Sequence, residues 1–373
     1  MTLRGLWQVQ GGDTLGAVRD LLQVLLEDKV VDAVLVPVKG SNHSVMPALV
    51  KNPTRLTLAD PFAPVMAFNS ARLLSMVTRG GAGAKIGAVL RSCEIRALVE
   101  LSKFNQVDLD DVVIIGMDCL GTLRVPDYLR TAEERLDLTA DLLAGAKEGN
   151  TDGLDLRTAC RMCEVSTPPR ADVSIGFIGI DNAQSLLVEM REDIAQELQF
   201  APELSPSERR AAVLARLRAT RAAARDAEID QFRTCTRGQG GLARYFAECL
   251  ECTNCMNACP ICYCKECFFR TANAERTPRD LLRLANRQGA LPMPVDALLF
   301  QMTRLNHMAT SCVGCGMCEA ACPHDIPLTA MFRAVGARVQ KIFDYEPGRA
   351  LEERPPFMEF KREELLEIGE PQH

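Results

Sequence analysis

Across residues 1–205 the apolar positions alternate between two rhythms. In "LGAVRDLLQVLLED", Leu15, Val18, Leu22, Leu25 and Leu26 recur at three- and four-residue spacings, the stripe of an amphipathic helix. The run "VDAVLVPV" that follows is short and continuously apolar, as a strand buried on both faces is. A second unit repeats the theme with the helix "SARLLSMVT", a Gly-rich turn "RGGAGA" and the strand "KIGAVL". The helix "EIRALVELSKF" and the strand "VVIIGMDC" make a third. This alternation predicts an α/β domain with a mostly parallel sheet covered by helices.

The pattern then changes. "AEERLDLTADLLAGAKEG" reads as one charged helix, and "TACRMCEVSTPPRADVSIGFIGI" as a cysteine pair, a Pro-Pro turn and a strand. Residues 206–234, mostly the Ala/Arg stretch "SERRAAVLARLRATRAAARDAEIDQF", predict a helical connector. Residues 235–342 set two cysteine-rich runs around the helical segments "TPRDLLRLANRQG" and "PVDALLFQMTRLNHM". Residues 343–373, rich in Glu, Pro and Arg, show no core face and are expected to lie along a neighbour or stay loose.

Composition narrows the function. The net charge of -6 and an aromatic content of 5% argue against nucleic acid as a partner. No apolar run approaches the roughly 20 residues of a membrane span. The start, "MTLRGLWQVQGGDTLG", lacks the pattern of a signal peptide, so a soluble cytoplasmic protein is expected. Sixteen cysteines are too many for a reducing compartment to hold as disulfides. They also cluster, which fits metal or iron–sulfur binding.

Two runs, "CLECTNCMNACP" (249–260) and "CVGCGMCEAACP" (312–323), share the pattern C-x2-C-x2-C-x3-C-P. In that pattern three thiolates on a tight turn hold one [4Fe–4S] cube and the fourth reaches across to the other. The expected ligand sets are therefore crossed: Cys249, Cys252, Cys255 and Cys322, and Cys312, Cys315, Cys318 and Cys259. Structural zinc is the alternative, but it favours separated pairs of cysteines. Cys235, Cys262, Cys264 and Cys267 could hold a further cluster or zinc, supply an alternative ligand, or be inert thiols. Cys93 and Cys119 follow two strands at the carboxyl edge of the expected sheet, where α/β proteins place ligands. With the pair Cys160 and Cys163 they could converge on one more cluster, or remain single buried thiols. The turn "LRSCEIRA" offers a helix N-terminus and Arg91 to an anion such as a flavin phosphate; the plainer reading is a turn with a solvated Arg91. His324, after the second motif, could tune a cluster or serve as a surface turn residue.

Three blocks carry a family resemblance. "KIGAVLRSCEIRALVEL", "IIGMDCLGT" and "ACRMCEVSTPPRADVSIGFIG" resemble, in order, blocks of the coenzyme F420 hydrogenase/dehydrogenase beta-subunit family. With its added two-cluster module the chain looks most like the formate dehydrogenase beta-type members. The resemblance implies a flavoprotein that binds FAD beside a [4Fe–4S] cluster and exchanges hydride with coenzyme F420 or NAD(P). It makes Cys93, Cys119, Cys160 and Cys163 the ligands of that flavin-proximal cluster. It makes Asn69, Ser70, Arg91, Ser92, Ile95 and Asp172 candidates for the FAD pocket, with Asp172 also suited to capping a turn. The chain departs from the family at Glu94 and Asp118, which would add negative charge near the cofactors, with Arg91 as partial offset.

The expected fold is thus an α/β flavoprotein domain followed by a helical, ferredoxin-like domain with two [4Fe–4S] clusters. Two to four clusters and FAD are the expected cofactors. No molybdenum or nickel signature is present, so the expected role is an electron-transfer subunit. It would relay electrons between FAD and a formate dehydrogenase, hydrogenase or heterodisulfide-reductase-like partner. One alternative is a relay adaptor with no soluble hydride carrier; another is a zinc scaffold.

Overall fold

The computed structural model describes residues 2–81, 83–151, 153–202 and 208–358. Its strands are β1 (Thr2–Gln8), β2 (Ala33–Lys39), β3 (Val45–Val50), β4 (Ile86–Arg91), β5 (Val112–Met117), β6 (Val173–Gly176) and β7 (Ser185–Arg191). They form one sheet in the order β1-β7-β6-β5-β4-β2-β3. The helices of this half are α1 (Thr14–Glu27), α2 (Ser70–Thr78), α3 (Ser92–Lys103), α4 (Val125–Glu134), α5 (Leu138–Ala146), α6 (Thr158–Arg161) and α7 (Glu192–Glu197). A long helix, α8 (Glu208–Cys235), leads to α9 (Gly241–Tyr245), α10 (Asn254–Ala258), α11 (Pro278–Gln288), α12 (Ala297–Met308), α13 (Met317–Ala320) and α14 (Leu328–Phe343).

The sheet is mixed, not mostly parallel. Strands β2, β4, β5 and β6 run parallel, while β3, β7 and β1 are antiparallel to their neighbours. The difference has a local cause at β3. Asn42 and His43 both take positive φ, 53° and 57°, and turn β2 straight back into β3. A hairpin turn with two left-handed central residues matches the twist of the strands it joins. The single charged helix expected over 132–149 is instead the end of α4 and all of α5, with Asp137 capping α5 through the N–H groups of Thr139 and Ala140.

Two cores flank the sheet, and β4 feeds both. Val89 points into the first, with Val18, Leu22, Leu25 and Ile115. Ile86, Ala88 and Leu90 point into the second, with Leu74 of α2 and Ile95 and Leu98 of α3. That second core continues without a break into Phe246, Met256, Phe300 and Met331 of the cysteine-rich half. The two halves therefore share one apolar interior.

The chain after Phe343 is held to α3 as far as it is described. The Glu100 carboxylate is buried and accepts hydrogen bonds from Tyr345 Oη (2.6 Å) and the Gly348 N–H (2.9 Å). Lys103 donates to the same carboxylate at 3.0 Å. Burial and the adjoining Glu100 push the Tyr345 phenol well above its ordinary range. Phe357 packs on Phe104, with ring centroids 5.4 Å apart. Residues 359–373 of the expected loose tail lie outside the described residues, as does the expected boundary at 205–206.

Glu100→Ala removes the acceptor for three donors and leaves Lys103 buried. The expected cost is about 3–5 kcal/mol, as for other broken buried pairs, read as a lower urea midpoint with earlier proteolysis near residue 345.

Candidate metal centres

The two repeated motifs fold by the same backbone device. In the second, Gly314 and Gly316 have φ of 70° and 68°; in the first, Glu251 and Thr253 stand at the equivalent positions with 51° and 60°. Left-handed residues between the cysteines curl each run so that its thiols face inward. Cys249, Cys252, Cys255 and Cys322 line one cavity, with Phe300, Gln301 and His324. Cys259, Cys312, Cys315 and Cys318 line a second, with Arg304, Met308 and Phe332. These are the crossed sets expected from the spacing. They are called here the outer and middle sets, since Cys252 is exposed whereas every thiol of the middle set is half-buried.

Cys93, Cys119, Cys160 and Cys163 form a third neighbourhood, the proximal set, at the carboxyl edge of the sheet. Arg91 and Met117 end β4 and β5 in register, which brings Cys93 and Cys119 to one level. The loop after α6 is tied to both: the Cys119 N–H donates to Ser166 O at 2.8 Å and Ser92 Oγ to Val165 O at 2.6 Å. Burial pushes the Cys93 thiol well up, and charge on Glu94, Cys315, Cys119 and Cys163 adds to the rise. Burial lifts Cys119 to about 11, against the pull of Arg91 and Arg221 and with a further push from Cys160 and Cys163. For Cys160, burial is outweighed by Arg157 and by hydrogen bonds from Thr122, and the thiol falls below its ordinary value. All sixteen cysteines are free.

Burial also raises the thiols of Cys255, Cys259, Cys312, Cys315 and Cys318, so positive charge nearby favours their thiolates. The protein supplies part of that charge. Arg91, Arg96, Arg157, Arg221 and Arg304 are buried, and among the described residues none of the five has a carboxylate within ion-pair reach. Each of the five lowers the pKa of at least one cysteine. The Nε atoms of Arg157 and Arg304 are buried without any partner among the described residues. Burying a guanidinium costs several kcal/mol unless an anion meets it. Four thiolates around an iron–sulfur cube are such an anion, so the donor sets and their surroundings fit [4Fe–4S] clusters. Among the described residues no three His, Cys, Asp or Glu side chains are placed to hold a single metal ion.

Arg157, Gln301 and Arg304 escaped the sequence reading. Their signal was a polar residue inside an apolar helical stripe, "LLFQMTRLNHM", and an Arg just before a cysteine pair.

Five of the six FAD candidates, Asn69, Ser70, Arg91, Ser92 and Ile95, sit where α2 meets the start of α3. Asn69 Oδ1 caps α2 by accepting from the Ala71 N–H, and its Nδ2 is buried without a partner among the described residues. The N–H groups of Ser70 and Arg91 both donate to the Glu94 carboxylate, which locks α2 against the start of α3. The Arg91 guanidinium donates to Ala63 O at 2.7 Å, and Ile95 is wholly buried. Asp172 lies apart: it accepts from the Ile114 N–H and pairs with Arg191. The hydrogen bonds of Asn69, Ser70, Arg91 and Asp172 hold the fold. Asp118, expected to charge the cofactor site, instead accepts from the N–H groups of Phe177 and Ile178 and is paired with Arg210 of α8.

The remaining cysteines divide. Charge on Cys264 and Cys267 is felt at Cys262, and Cys267 Sγ lies 3.9 Å from Met256 Sδ. Cys235 is exposed at the last residue of α8.

Comparison with known proteins extends the likeness. Residues 243–326 match the 4Fe-4S dicluster domain, which spans both repeated motifs. The beta subunit of F420-dependent formate dehydrogenase from Methanocaldococcus jannaschii is 26% identical over 364 residues, 89% of this chain and 91% of that protein. The beta subunit of F420-dependent formate dehydrogenase 1 from Methanococcus maripaludis is 27% identical over 391 residues, 93% and 94% of the two chains. The chain is a homologue of these oxidoreductase subunits. Among solved structures, a chain of the F420-reducing [NiFe] hydrogenase complex from Methanosarcina barkeri is similar at a TM-score of 0.45 and 14% identity, covering 63% of this chain and 92% of that one. The homology to the beta subunits extends well past residues 30–200, where the motif blocks lie.

The proximal and middle sets meet where α13 docks on α6. A Cβ built on Gly316 would come within 2.2 Å of Ala159 Cβ, and Gly316 holds φ at 68°. Gly316→Ala is expected to cost about 1–3 kcal/mol through overpacking. Ala159→Gly in the same chain should recover the clash but not the backbone strain, as measured by thermal midpoints of the two variants.

Proposed function

We propose that this chain is the electron-transfer subunit of a larger oxidoreductase. It passes single electrons through a row of [4Fe–4S] clusters to or from a partner such as a formate dehydrogenase or hydrogenase catalytic subunit. The supporting observation is the succession of thiol sets. Gly316, beside Cys315, packs on Ala159, beside Cys160, and so joins the middle set to the proximal one; Arg304 lines the middle cavity while its Nη2 donates to Cys255 O of the outer set at 3.2 Å. Iron–sulfur clusters held at such positions carry one electron each. The thiols of the proximal and middle sets are half-buried, and the outer set lies beside the exposed Cys252 and Leu250, where a partner could exchange electrons. The names of the curated relatives support a role in formate oxidation or F420 chemistry.

FAD, and hydride exchange with coenzyme F420 or NAD(P), form the finer part of this reading. A flavin accepts hydride and releases electrons singly. The family resemblance supports it, with Asn69, Ser70, Arg91, Ser92 and Ile95 gathered where α2 meets α3; the hydrogen bonds already made there and the separate position of Asp172 favour a second reading. In that reading the chain is a relay adaptor, of the kind that would serve a heterodisulfide-reductase-like complex, without a soluble hydride carrier.

Anaerobically purified protein is expected to contain about twelve iron and twelve acid-labile sulfide, three cubes in all. Cys315→Ser and Cys93→Ser should each remove the signal of one cluster. Zinc in place of iron and sulfide would overturn the proposal. Bound FAD that is bleached by reduced F420, NADH or NADPH is expected for the finer reading; iron without flavin leaves the adaptor.

A further inference from the structure

We propose that Arg157 and Arg304 are positioning residues, each setting the reduction potentials of the two clusters it stands between. The relay is then tuned in neighbouring pairs, with the middle cluster governed from both sides. This rests on the iron–sulfur reading above.

Arg157 stands at the first junction. Its Nη2 is 3.6 Å from Cys160 Sγ of the proximal set. Its Nη1 is 3.4 Å from the sulfur of Met317, the residue before Cys318 of the middle set. Arg304 stands at the second. Its Nη2 donates to Cys255 O of the outer set at 3.2 Å, while its side chain lines the cavity of the middle set. Its Nη1 donates to Gln301 Oε1 at 3.0 Å, which orients the amide so that Gln301 Nε2 lies 3.4 Å from Cys249 Sγ and 3.9 Å from Cys255 Sγ. Phe300 and Phe332 hold the guanidinium between them, 5.7 and 5.3 Å from their ring centres.

What separates these two from other arginines is a missing counter-ion together with an Nε buried without a partner among the described residues. Arg210 faces Asp118, and Arg225 and Arg333 share Glu164. Among the described residues no carboxylate pairs with Arg157 or Arg304. A guanidinium keeps its protons at any working pH, so each is a fixed positive charge in a poorly screened interior. Reducing a cluster adds one negative charge beside it. The cation therefore favours the reduced form and raises the potential, and the Gln301 hydrogen bonds act in the same direction on the outer set. Transfer moves one electron from one cube to the next. No bond forms or breaks, and neither arginine gives up a proton.

The test is a redox titration of the full anaerobic chain followed by electron paramagnetic resonance, with signals assigned through the Cys→Ser variants. Arg157→Gln should lower the potentials of the proximal and middle clusters and leave the outer one unchanged. Arg304→Gln should lower the middle and outer clusters and spare the proximal one. Each shift is expected to change the reduced-to-oxidised ratio at least tenfold, or 59 mV for a one-electron couple. Arg157→Lys and Arg304→Lys, which keep the charge, should stay near the parent values. Gln301→Leu, which leaves Arg304 in place, should lower the outer cluster alone and carries the test if an arginine variant fails to assemble. Unchanged potentials at full iron content overturn the proposal. So does an equal shift at all three stations, or lysine variants that move as far as the glutamine ones. A parent protein with no cluster signal overturns the underlying reading instead.

Discussion

Charge balance in a dry interior is the constraint on which this molecule turns. A thiolate and a guanidinium are each costly to bury alone, and the cost falls when they are buried together. Five buried arginines without carboxylate partners among the described residues stand around the cysteines, and all five oppose the rise that burial imposes on the thiols. Carboxylates near the centres are turned to other work. Asp118 is bound by Arg210 and two backbone N–H groups, and Glu94 ties α2 to α3. The interior is arranged so that negative charge arriving at sulfur meets fixed positive charge.

That arrangement needs both halves of the chain. Arg157 comes from the α/β half and faces Met317 of the cysteine-rich half. Arg96 of α3 donates to Val313 O beside Cys312 and to Pro347 O in the segment after α14. Arg221 of α8 donates to Cys163 O and Ser166 Oγ, so the long helix is a strut and more than a connector. The shared second core fixes the distance between the thiol sets, and electron transfer between centres depends on that distance.

Legibility in the sequence followed how local each determinant was. The crossed sets could be read because C-x2-C-x2-C-x3-C-P confines its geometry to a dozen residues. Helix α2 was read to both ends because Asn69 is a good cap and its apolar stripe is regular. The carboxyl-edge position of Cys93 and Cys119 followed from strand–helix alternation, and the register of Arg91 with Met117 bears it out. Strands β1 and β7 were missed, since they form an antiparallel pair whose faces alternate weakly: β1 buries only Gly5 fully. The β2–β3 hairpin hid in "SNHS", where two non-glycine residues take the left-handed conformation. Arg304 could not be identified from its own helix. Its meaning depends on Cys255 and on Phe332, which arrive from distant parts of the chain. The FAD contacts rest on a family pattern and not on a local determinant. Ser70 and Arg91 give their N–H groups to Glu94, while Asn69 keeps a buried Nδ2 without a partner among the described residues.

The crossing of the two cysteine runs bears on assembly. Cys322 closes the ring begun by Cys249, and Cys259 closes the one begun by Cys312. Neither ring is complete until the polypeptide has returned on itself through α11 and α12. Each cube, once inserted, would then be a rivet through two distant stretches, and corrosion of either by oxygen would loosen the seat of the other.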